Sequence, residues 1–118
     1  MTKKYFLTIT PVAKPRMTHA DRWNERKATG KYWAYKDELR LKANLQKYTL
    51  KDILHVTFFI STPKKERWGK PHQIKPDCDN LLKGFVDALT DHDQTIYDMH
   101  ARKFWSEKAG IEIIENEE

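Results

Sequence analysis

Residues 53–60 read Ile53-Leu-His-Val-Thr-Phe-Phe-Ile60, a run of β-branched and aromatic side chains. Its alternation predicts a strand with Leu54, Val56, Phe58 and Ile60 on one face and His55, Thr57 and Phe59 on the other. Large apolar groups occur on both faces, so this strand is expected at the centre of a sheet.

Working outward, the run Tyr5 to Thr10 reads as a first strand ended by Pro11. Strong helix formers from about Trp33 to Tyr48 predict a helix with Leu41, Leu45 and Tyr48 as its apolar stripe and a basic surface supplied by Lys36, Arg40, Lys42 and Lys47. Beyond the central strand, Pro76 suits a first helical turn and Asp77 or Asp79 suits a cap. Leu81, Leu82, Phe85, Val86 and Leu89 give the buried stripe of a helix running to about Thr90. Strand composition returns from Thr95 to Trp105 and again from Gly110 to Ile114, with Ser106–Ala109 expected to form a hairpin between them. The order β-α-β-α-β-β predicts a small α/β (α+β) domain over residues 1–118, its helices packed on one mixed β-sheet.

A chain of 118 residues has the size of one domain. It holds no apolar stretch of membrane-spanning length, the apolar run of a secretory signal is missing, and Cys78 is the sole cysteine. These features lead us to expect a soluble protein of a reducing, intracellular compartment.

The net charge is +5, although Glu112, Glu115, Glu117 and Glu118 crowd the C-terminus, which leaves the body more basic still. Two stretches without hydrophobic period carry much of that charge. One runs from Pro11 to Gly30 with Lys14, Arg16, Arg22, Arg26, Lys27 and Trp23; the other runs from Ser61 to Lys75 with Lys64, Lys65, Arg67, Trp68 and Lys70. Cations with interspersed rings suit a flexible loop that holds phosphates and stacks on unpaired bases. The plainer alternative is two solvated loops whose tryptophans cover the edge of the core.

Chemistry concentrates at Lys75-Pro-Asp-Cys-Asp-Asn-Leu-Leu-Lys83, followed by Asp91-His-Asp-Gln94. Asp77, Asp79 and Asp93, if gathered by the fold, would repel one another unless a hard divalent cation such as Mg²⁺ lay between them. Asp77 and Asp79 point the same way only where the backbone is extended, so the helix is expected to begin near Asp79. From there Asp79, Lys83 and Asp87 share one face. The alternatives are a helix cap, an idle turn residue and a surface Asp79–Lys83 pair. Zinc is not supported, because Cys78 is a single thiol and no His or Cys pair has finger spacing.

Asp77-Cys-Asp-Asn-Leu-Leu-Lys83, then Asp87-Ala-Leu89, His92-Asp-Gln94 and His100-Ala-Arg-Lys103 resemble the RusA family of Holliday-junction resolvases. The likeness is strong over residues 75–105 and looser around Pro11–Arg16. It implies that Asp77, Asp79 and Asp93 are metal-binding catalytic aspartates and that Lys83 is the lysine needed for cleavage. An alternative alignment exchanges Asp91 for Asp93; counting back from His100–Lys103 favours Asp93. The implied activity is Mg²⁺-dependent resolution of four-way DNA junctions in recombination or repair, using one or two ions. The implied setting is the cytoplasm of a bacterial cell or phage-infected host. Paired cuts on a symmetric junction call for a two-fold homodimer, since this chain has one carboxylate cluster. Lys14, Arg16, Lys70, Lys75 and Arg102 are the expected DNA-binding cations. Rival readings are a metal nuclease of flaps or single strands and a non-enzymatic basic DNA-binding regulator.

Overall fold

The computed structural model describes residues 2–15 and 27–116; Arg16, Arg22, Trp23 and Arg26 lie outside them. Strand β2 (Ile53–Ser61) is the central strand its composition predicts. It pairs in parallel with β3 (Asp98–Ser106) on one side and antiparallel with β4 (Gly110–Asn116) on the other, and β4 in turn pairs antiparallel with β1 (Thr2–Leu7). The sheet order is β1-β4-β2-β3. Helices α1 (Lys27–Leu45) and α2 (Cys78–Leu89) complete the expected α+β architecture.

The hairpin between the last two strands does not form. Residues 107–109 instead carry the chain past the end of β2, so that β4 inserts between β1 and β2. Local spacing cannot reveal this, because the crossover through α2 makes β2 and β3 parallel neighbours, and β2 thereby occupies the position a hairpin partner would take.

One face of the sheet is the core. Tyr5 and Leu7, Leu54, Val56 and Phe58, and Ile111 and Ile113 are buried there against Leu81, Phe85, Val86 and Ala88 of α2 and against α1. Phe58 and Phe85 meet edge-on at 6.2 Å between centroids.

The face that α1 turns to the core differs from the expected stripe. Leu41 and Leu45 are 59% and 74% exposed, whereas Tyr32, Tyr35, Leu39 and Ala43 are buried. Tyrosine hid this stripe, since its hydroxyl reads as polar while its ring fills a core. The Tyr32 hydroxyl donates to the Gly84 carbonyl of α2 at 3.0 Å, and burial raises its pKa to about 12. Tyr48 is buried by another route. Lys47 adopts φ 57, and the Tyr48 amide donates back to the Ala43 carbonyl at 2.9 Å, a Schellman closure that turns Tyr48 inward onto Tyr5.

At Gly84 the two helices and the segment after β1 meet closely. A Cβ there would stand 3.1 Å from both the Val12 carbonyl oxygen and the Lys14 nitrogen. The Lys14 amide donates to the Asn80 carbonyl at 3.3 Å, so the basic segment after β1 runs beside the first turns of α2. Arg40 of α1 donates to the Ala88 carbonyl at 2.6 Å and satisfies the far end of that helix. No helix among the described residues is long and apolar enough to cross a membrane.

Candidate functional site

The residues between β2 and α2 are more ordered than a flexible basic loop. A single 3-10 turn at Lys65–Arg67 follows β2, and the Trp68 indole N–H donates to the Thr62 carbonyl at 2.8 Å. Gly69, at φ 82, then turns the chain onto the free edge of β3. The Gly69 amide bonds Trp105, the Trp105 amide bonds Lys70 and the His72 amide bonds Lys103, with Pro71 opposite Phe104. Trp68 thus pins its own loop, and His72 packs against Trp105 at 4.3 Å. These contacts cover a sheet edge that would otherwise invite pairing. Lys70 and Lys75 remain exposed.

Lys103 carries the chain into the site. Its ammonium donates to the carbonyls of Ile74 and Pro76, each at 2.6 Å, and so fixes the residue before Asp77 to β3. The Lys75–Pro76 peptide bond is cis.

Helix α2 begins at Cys78, with Asp77 at the N-cap position in extended conformation (φ −68, ψ 146). The expectation that the helix starts near Asp79 is met to within a residue. Asp77 is not a cap in the chemical sense, because its side chain makes no capping hydrogen bond. Asp79 lies in the first turn and Lys83 one turn further on, both exposed. Among the described residues no hydrogen bond or ion pair engages the side chains of Asp77, Asp79, Lys83 or Asp93, so the expected alternative of a surface Asp79–Lys83 pair is not formed. Asp87, on the same helix, is instead paired with Lys14 at 2.6 Å. Lys75, Pro76, Asp77 and Asn80 line an open hollow of about 450 Å³ beside these carboxylates. The Cys78 thiol is held protonated, its pKa raised by burial against the lowering effect of Lys103.

Asp93 stands beyond the other end of α2. It opens a 3-10 turn, Asp93–Thr95, beyond the C-terminal end of the helix, and the Tyr97 amide ties that turn to the Asp52 carbonyl at 3.0 Å. An α-helix of 12 residues is about 18 Å long. Asp77 and Asp79 therefore share one end of α2 while Asp93 follows the other. Among the described residues, the group of His, Cys, Asp or Glu donors lying within 4.8 Å of one another is a different one: His55, Asp98 and His100. Arg102 belongs to that same open face of the sheet, where its guanidinium donates to the Thr57 hydroxyl at 3.3 Å.

An acidic pair without internal partners begins a helix lined by an exposed lysine, beside a basic segment. A sequence model of endodeoxyribonuclease RusA matches residues 8–114. The chain belongs to the RusA endodeoxyribonuclease family. A RusA-family relative from Lactococcus phage r1t, a crossover junction endodeoxyribonuclease, is 36% identical over 86 residues. That match takes in 62% of this chain and 66% of the relative. Within this RusA fold, sequence reasoning missed Lys103 as the anchor of the Asp77 segment, because a lysine in a strand carries no signal of the carbonyls it will reach. It also missed the His55–Asp98–His100 group, which depends on the parallel register pairing His55 with His100.

Proposed function

We propose that this RusA-family chain is a Mg²⁺-dependent, structure-selective endodeoxyribonuclease that resolves four-way DNA junctions. The observation that carries the reading is the pair Asp77 and Asp79, exposed at the start of α2 and satisfied by no group of the described protein. Oxygen donors of this kind suit a hard cation that keeps some of its water. Asp77 and Asp79 would hold Mg²⁺; the third carboxylate that the resemblance implies, Asp93 or its alternative Asp91, follows the opposite end of α2 and would have to approach the pair to complete a three-carboxylate site. Such an ion would supply electrostatic stabilisation of the phosphate and a lowered pKa for an attacking water.

The remaining roles fall to the cations. Lys83, one helical turn beyond Asp79, brings an ammonium toward the charge that develops on the phosphate oxygens during phosphodiester hydrolysis. Lys75, exposed at the hollow, and Lys70, exposed in the same loop, would hold neighbouring phosphates, and Lys14, Arg16 and Arg102 are the further cations expected to contact DNA. A two-fold homodimer would supply the second cut that a symmetric junction requires. Cytoplasmic action, in a bacterial or phage-infected cell, is consistent with such a substrate.

The test is cleavage of a labelled synthetic junction with Mg²⁺ present or chelated. Asp79→Asn should abolish cutting while preserving or tightening junction binding, because it removes negative charge near phosphates. Loss of both together would point to a folding role. Asp93→Asn and Asp91→Asn, compared side by side, identify the third carboxylate by which one raises the Mg²⁺ requirement. Should all the aspartate variants act like the parent and Mg²⁺ do no more than screen charge, the chain is a DNA-binding regulator and not a nuclease.

A further inference from the structure

On the face of the sheet away from the helices, β2 and β3 bring His55 and His100 together as direct register partners, with Asp98 two residues before His100 on the same side. Their donor atoms all lie within 4.8 Å of one another. The His100 Nε2 is 3.0 Å and the His55 Nε2 3.7 Å from the same Asp98 oxygen, and the two imidazoles meet at 4.4 Å between centroids. One feature is unexplained by packing: the His55 Nε2 is buried and has no hydrogen-bond partner among the described residues, although it is aimed at this group. A buried polar atom without a partner is costly, and an ion that accepts its lone pair removes the cost.

We propose that His55, Asp98 and His100 bind a transition-metal ion of the zinc class, at a site separate from the acidic pair of α2. Two imidazoles and one carboxylate form a borderline-soft donor set, which favours Zn²⁺ or Co²⁺ over Mg²⁺. Bonds of about 2.0–2.2 Å from one ion to such donors put neighbouring donor atoms roughly 3–3.5 Å apart, so only small side-chain adjustments separate the present arrangement from coordination. Three protein ligands leave a position open. The adjoining hollow of about 280 Å³, lined by His55, Thr57, His100, Arg102 and Ile114 among others, has room for a water at that position. The ion would clip β2 to β3 at the strand end where α2 delivers the chain.

The experiment uses the full, untagged chain, freed of metal and titrated with Co²⁺ while its visible absorption is followed, then challenged with Zn²⁺. The expected result is about one Co²⁺ per chain, displaced by Zn²⁺ and indifferent to millimolar Mg²⁺. His100→Ala, at an exposed position, and His55→Gln, which refills the hollow, should each weaken binding by at least about tenfold, and the melting temperature should rise with Zn²⁺ in the parent alone. An Asp77→Asn/Asp79→Asn double variant should bind Co²⁺ as the parent does, which keeps this site distinct from the nuclease reading. No Co²⁺ absorption in the parent overturns the proposal, as does absorption that survives both histidine variants or disappears with the aspartate pair.

Discussion

The Lys103 ammonium lies 2.6 Å from the Pro76 carbonyl oxygen, so a strand on the sheet's edge holds the residue immediately preceding Asp77. Together with its second bond, to Ile74, this makes Lys103 a positioning residue for the acidic pair. Lys103→Met keeps the aliphatic stem and deletes both bonds. It should cost about 1–2 kcal/mol in urea unfolding, since the bonds are charge-assisted and partly exposed. If the proposed nuclease reading holds, the Mg²⁺ concentration for half-maximal junction cleavage should rise more than the junction dissociation constant does. Equal changes in both would assign Lys103 to DNA contact.

Lys14 and Asp87 form an ion pair at 2.6 Å with about a third and a quarter of their side chains exposed. Such a pair contributes at most about 1 kcal/mol to stability. Its larger effect is predicted on binding. Asp87→Asn releases Lys14 toward phosphates and should tighten junction binding, whereas Lys14→Ala should weaken it and reduce the salt slope by about 1. Fluorescence anisotropy at several salt concentrations measures both, and identical salt slopes in the parent and Lys14→Ala would remove Lys14 from the interface.

Lys47 occupies the left-handed region at φ 57, at the closure of α1, where glycine is the favoured residue. Lys47→Gly relieves the steric cost of a Cβ there and should stabilise the domain by roughly 0.5–1 kcal/mol. Chemical denaturation gives the answer directly, and a lower midpoint would mean that the lysine side chain contributes more than the strain removes.

His72 is 3% exposed, its Nδ1 has no partner among the described residues, and its pKa is lowered by burial first and by the Lys103 charge second, partly offset by a backbone hydrogen bond. A base whose folded pKa lies below its unfolded value of about 6.5 is protonated more readily when the chain is unfolded. Its contribution is therefore complete above that pH and declines as pH falls below it, toward the lowered folded value. Urea midpoints measured from pH 7.5 down to 5 should drop more steeply in the parent than in His72→Gln; parallel curves would clear His72 of this role.

The strands were legible because β2 shows its two faces in an alternation that depends on nothing distant, and α2 because Leu81, Phe85 and Val86 form an unbroken stripe that is buried as expected. The stripe of α1 was misread at Leu41 and Leu45 because its core residues, Tyr32 and Tyr35, carry hydroxyls. The hairpin failed for a different reason: strand neighbours are chosen by the crossover through α2, a long-range event with no local mark between Ser106 and Gly110. The acidic pair and the exposed Lys83 could be located from spacing alone. Their distance from Asp93 could not, since it depends on which way the turn after α2 leaves the helix. Trp68 gave a misleading signal, as an indole in a basic loop looks the same whether it waits for a base or bonds its own backbone at Thr62.

The insertion of β4 between β1 and β2 has a consequence for biosynthesis. Among the described strands β1 is synthesised before the others, yet its partner in the sheet is β4, the one synthesised after the other three. Until then the borders of β1 and β2 that β4 joins stay unmatched, so native assembly of this sheet waits on the ribosome reaching β4, and a message stalled before it would leave a sticky fragment in place of a smaller working domain.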